Sequence, residues 1–151
     1  MKYILILVIG IGAVVSSCTR KIAGDEDCIK ISNDQQHEFL VDHQRKLISM
    51  NFDGDTIDIV NLYPDNGSGC QTHLFSDQNR LIVIDCNGYW YSISQFDMKI
   101  KNDGWKWEKK LPENYIGVLT YNKASNNYFL EKKESSIGLE DVYQHKDPDR
   151  R

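Results

Sequence analysis

Residues 70–96 read CQTHLFSDQNRLIVIDCNGYWYSISQF, three short apolar segments separated by two turn signals. In the second turn, Asn87-Gly88 lies between Arg80–Cys86 and Tyr89–Gln95, and Asn-Gly is the preferred pair where both central residues of a hairpin loop need positive φ. A two-residue loop there predicts Cys86 opposite Tyr89, Ile84 opposite Tyr91 and Ile82 opposite Ile93, all on one face because strand side chains alternate. Upstream, Asp77-Gln78-Asn79 fits a three-residue loop with Asn79 in the left-handed position. That register sets Leu74 against Ile82, Thr72 against Ile84 and Cys70 against Cys86, and so predicts a Cys70–Cys86 disulfide. Pairings that involve Cys28 stay open, because sequence alone does not determine connectivity.

Working outward, the same logic recurs. Asp53-Gly54 is another two-residue hairpin signal that pairs Phe52 with Asp55, Met50 with Ile57 and Ile48 with Ile59 on one apolar face. Asn102-Asp103-Gly104 separates 96–100 from 105–107, and a turn at Asp103-Gly104 would place Ile100 opposite Trp107. Residues 115–121 and 127–132 read as a last pair of strands, 28–32 and 37–42 as the first two, and 46–52 as the arm before Asp53-Gly54. Pro64, Asn66-Gly67 and Gly69 mark residues 61–69 as a surface loop. Short segments at this spacing predict an all-β fold, antiparallel hairpins and a meander forming a small sandwich or barrel with little helix. The β-domain is expected over 28–133 and a charged, mobile tail over 134–151, with 137–143 able to form a helical turn.

Residues 1–17 belong to a different physical class. Lys2 precedes an apolar run from Tyr3 to Val15 that ends in Ser16 and Ser17, the layout of a signal peptide and shorter than a spanning helix. Val15-Ser16-Ser17-Cys18 resembles the lipobox of bacterial lipoproteins, an aliphatic residue and small residues before a cysteine. The resemblance implies cleavage before Cys18 and a diacylglycerol thioether on Cys18, and the polar, charged residues after it make 18–27 read as a tether between lipid and domain. More than one acyl chain makes such an anchor stable where a single chain would be marginal. Thr19 is not the aspartate that in enterobacterial lipoproteins implies retention in the inner membrane, so the expected address is the outer membrane of a cell envelope.

The chain carries 18 basic and 22 acidic residues, net −4. Removing 1–17 takes away one lysine and no acid, which leaves net −5. Such a balance argues against nucleic acid, which needs clustered Lys and Arg. Motifs for chemistry are weak throughout. Asp53, Asp55 and Asp58 lack the glycine and glutamate positions of an EF-hand loop, and His37 and His43 on one strand would stand ~20 Å apart, so no metal or cofactor site is read. Neither a nucleophile elbow nor a phosphate loop is present, so the protein reads as non-catalytic.

One bias remains, aromatic residues crowding the second half of the chain. The expected register sets Trp90 opposite Asp85, on the face away from Ile84 and Tyr91. On a one-sided sheet Trp90 and Asp85 would meet a partner, whereas Leu81, Val83 and Phe75 on the same face argue for a covering layer. Together these features predict a lipid-anchored envelope module that binds a protein partner, in the manner of inhibitors or immunity proteins. Rival readings are a small-ligand carrier with a barrel cavity and an envelope hydrolase.

Overall fold

The computed structural model describes residues 28–35, 43–63, 71–122, 124–125 and 127–143. Within them the chain is all-β, as its turn spacing predicts, and the strands make two antiparallel sheets. The smaller has the order β1-β2-β3, from β1 (Ile29–Gln35), β2 (His43–Met50) and β3 (Thr56–Asn61). The larger has the order β7-β6-β5-β4-β8-β9. Its strands are β4 (Thr72–Asp77), β5 (Arg80–Asp85), β6 (Tyr89–Ser94), β7 (Ile100–Trp105), β8 (Asn114–Asn122) and β9 (Asn127–Lys132). A single turn of helix, α1 (Leu139–Val142), follows.

Both hairpins of the central meander exist, yet each is offset by one residue from the register expected. Between β4 and β5 the loop is Gln78-Asn79, closed by Asp77 opposite Arg80 and by a side-chain ion pair between the same residues at 2.5 Å. Gln78, not Asn79, takes the positive φ of +51°. Between β5 and β6 the loop is Cys86-Asn87-Gly88, where the Gly88 N–H donates to the Asp85 carbonyl at 2.9 Å and Gly88 sits at φ +80°. The Asp85 carboxylate decides this geometry, since its Oδ1 accepts from the Asn87 N–H at 2.9 Å and the Tyr89 N–H at 3.0 Å. Val83 therefore faces Tyr91, Leu81 faces Ile93 and Ile84 faces Trp90. A one-residue slip moves every side chain to the other face, and because both faces of these strands are apolar the pattern could not choose. Continuing the β4–β5 ladder brings Gln71, not Cys70, level with Cys86, and Cys70 lies outside the described residues.

The remaining differences have local causes. β2 and β3 pair Ile48 with Ile59 as expected, but a bulge after Ser49 sets Met50 against Thr56. Their core face is the one with Arg45, Leu47 and Ser49, and Ile59 lies exposed on the other. Polar side chains can point inward here because they find partners, such as the Ser49 hydroxyl that donates to the Met98 carbonyl at 2.6 Å. Asn102–Gly104 is not a turn. β7 runs straight through it, with Trp90 opposite Gly104 and Tyr91 opposite Asn102, so Asp103 is the extra residue of a bulge and Gly104 adopts φ +83°. The strand expected over 37–42 falls outside the described residues.

The sheets pack face to face over one core of Cys28, Ile29, Ile31, Leu47 and Leu62 against Leu74, Leu81, Val83, Tyr91 and Ile93. A second core lies on the other face of the large sheet. Because β8 pairs with β4 while β7 lies at the far edge, the connection 106–113 must cross back over β6, β5 and β4. Leu111 from that connection and Ile137, Leu139, Val142 and Tyr143 from the chain's last described segment close over Phe75, Ile82, Ile84 and Trp90. Residues 137–143, expected as part of a mobile tail, are instead a packed strap.

Candidate binding surface

Three polar residues fully buried at one end of the sandwich join its two sheets. Arg45 and Asp85 are each 0% exposed, and the Arg45 Nη2 lies 3.8 Å from the Asp85 Oδ2. Nη1 of the same guanidinium donates to the Thr72 hydroxyl at 3.3 Å, and Nη2 donates to the Tyr63 carbonyl at 2.8 Å. Thr72 sits opposite Asp85 on the ladder, so one arginine of the small sheet grips adjacent strands of the large one. Burial, followed by the nearby Asp85 charge, raises the Tyr91 phenol well above its ordinary value.

This buried clamp has an outward consequence. Through the Tyr63 carbonyl it places Tyr63, and through the Tyr89 N–H it places Tyr89. The two rings stack with centroids 5.3 Å apart and planes 15° from parallel. Trp105, opposite Tyr89 on β7, extends the row, its indole lying where a Cβ on Gly88 would come within 3.1 Å of Nε1. Tyr63 is 51% exposed and Trp105 47%. Two half-exposed aromatic rings flanking a partly buried third are the kind of surface from which binding anchors are drawn, since such rings offer large contact area at small entropic cost.

Trp90, the residue expected to meet a partner, is 8% exposed. Its face is covered by the second layer, including the Lys106 ammonium 5.6 Å from the ring centroid. Its remaining edge lines an open groove of about 530 Å³ between the β4–β5 turn and the 106–114 segment, where Asp77, Glu108, Glu113 and Lys110 form the rim. Asp85, the other expected contact, is wholly internal and belongs to the clamp. Sequence reasoning missed Tyr63, Arg45 and the support that Asp85 supplies. The available signal was an arginine at an inward position of β2, two residues before Leu47 and in phase with it.

Other chemistry-bearing groups are held internally. His73 is buried with Nδ1 3.0 Å from the Tyr115 hydroxyl. Asp58 of β3 accepts the Ile100 N–H of edge strand β7 at 3.0 Å, which is the main reason its carboxyl is held below the usual range. Cys28 is buried in the core between the sheets, and Cys86 is disulfide-bonded. Among the described residues no group of three or more His, Cys, Asp or Glu side chains is placed to hold a metal ion. No protein-family model, curated protein or solved structure matches the chain.

Proposed function

We propose that this protein is a lipid-anchored binding module of a bacterial envelope, without catalytic activity, that holds a protein partner through the aromatic row Tyr63, Tyr89 and Trp105. The observation that carries the reading is the row itself, Tyr63 and Trp105 exposed on either side of a partly buried Tyr89, with the backbones of Tyr63 and Tyr89 tied to the buried Arg45–Asp85 pair. A buried charged pair adds little net stability compared with apolar packing, so its value here is positional. The anchor is the lipid on Cys18, by its resemblance to a lipobox, and the address is the outer membrane. Cys70 is the partner proposed for Cys86, and a non-reducing peptide map should recover the two peptides linked.

The partner reading is tested by crosslinking and capture of the anchored protein from its own envelope, with Tyr63→Ala and Trp105→Ala as matched variants. Both side chains are about half exposed, so each variant should keep its fold while capture of one dominant protein falls at least tenfold, on the scale of anchor residues. Equal capture by both variants and the parent would discard the row as the contact. Cys18→Ser should move the protein to the soluble envelope fraction, and unchanged membrane association would defeat the anchor. The second reading, a small-ligand carrier, draws on the groove beside Trp90, whose volume is in the range of small-molecule sites.

A further inference from the structure

The strap 137–143 is held differently from the strands it covers. Its backbone hydrogen bonds stay local, with the Asp141 and Val142 N–H donating to the Gly138 carbonyl and the Tyr143 N–H to the Leu139 carbonyl. What fixes it to the sheet is side-chain packing. Val142 and Tyr143 are buried, and the Tyr143 ring stacks on Trp107 with centroids 4.4 Å apart. Segments secured this way open at lower cost than paired strands.

Beneath the strap lies an ionisable group that the binding surface does not use. His73 is 2% exposed, its Nδ1 meets the Tyr115 hydroxyl at 3.0 Å, and its Nε2 is buried. β5 presents Ile82 and Ile84 on this face, and β8 presents Val118 and Tyr115. From α1, Asp141 acts on His73 through its charge and through a hydrogen bond with its backbone, both favouring the protonated ring, and Glu131 of β9 acts with Asp141 on Tyr115. The Asp141 carboxylate is itself engaged, accepting the Gly138 N–H at 3.3 Å on the exposed side of the strap.

We propose that residues 137–143 are an acid-released strap, closed over a neutral His73 and opened when His73 takes a proton. Burial drives the His73 imidazole down from its ordinary value near 6.5 to about 4, and Asp141 offsets only part of that. The closed strap therefore excludes a proton that the open state would accept. Above about pH 6.5 neither state is protonated and closure is unopposed; as pH falls from there to about 4 the opposition grows roughly tenfold per unit, and below about 4 it grows no further. Between pH 7.5 and pH 5 opening is favoured by about 30-fold. Release would uncover Phe75, Trp90 and Tyr115 and free the 106–113 segment, to which Leu111 belongs, from its packing against Ile137 and Leu139.

The test is amide hydrogen exchange on the full chain at pH 7.5 and pH 5, corrected for intrinsic rates. Protection at 139–143 should fall about 30-fold while the amides of β4 and β5 keep theirs. Unchanged protection of the strap overturns the proposal, as does a uniform loss across the sheet. Increased protection overturns it too, since it would mean that Asp141 pairs with a charged His73. His73→Gln, which cannot take the proton, should flatten the response. Should that variant fail to fold, an NMR titration of the parent protein decides: His73 should titrate below 6.5 with the Val142 and Tyr143 signals shifting at the same midpoint, and a His73 midpoint near 6.5, or strap signals that do not follow it, rules the switch out.

Discussion

Asp85→Ala should lower the unfolding free energy by about 3–5 kcal/mol in urea melts, the scale for removing one member of a buried ion pair. For a domain whose whole stability is about 5–15 kcal/mol, that is a large share. The loss has two sources. Arg45, 0% exposed, would keep its charge in the core with its carboxylate partner gone. The N–H groups of Asn87 and Tyr89 would also lose the acceptor that shapes the β5–β6 loop. Asp85→Asn separates the two, because an amide oxygen can still accept both N–H groups while the charge is lost. It should cost less than alanine, and combining it with Arg45→Met should recover part of the remainder, since no unpaired charge is then left inside. A loss below about 1 kcal/mol for Asp85→Ala would show that the clamp is not what joins the sheets at this end.

Trp90→Ala should cost about 3–5 kcal/mol, the range for emptying a large aromatic from a core. A surface contact residue would cost far less, within about 0.5 kcal/mol. Trp90 packs with Phe75, Ile82 and Ile84 under Val142 and Tyr143, and the void would be shared by the sheet and the strap. Loss of partner capture by Trp90→Ala would thus report on folding, which is why Trp105 and Tyr63 serve as the test of contact. If Trp90→Ala leaves the urea midpoint unchanged, the second core is not the packed layer described, and the groove edge becomes the more important role of Trp90.

The order of hairpins was legible because turn chemistry is local. Asp53-Gly54, Gln78-Asn79, Asn87-Gly88 and the 122–127 segment each lie at a strand reversal, as their residue types require. Glycine at 104 signalled a break, yet a left-handed glycine serves a bulge as well as a turn, and only the partner strand β6 shows which. The faces were not legible. Residues 81–84 and 89–93 are apolar on both sides, so one residue of register exchanged the roles of Trp90 and Tyr91 without leaving any mismatch in the pattern.

By itself, then, the sequence determined the all-β class, the positions of most reversals and the pairing of β8 with β9, since each depends on a few adjacent residues and the period of the strand. Tertiary structure decided which face is inside, which polar residues are buried and where the aromatic row stands. Those outcomes depend on partners far apart in the chain: Arg45 with Asp85 and Thr72, His73 with Tyr115, Tyr143 with Trp107. Burial of a charge or an imidazole is tolerated only where such a partner arrives, and no local pattern records that arrival.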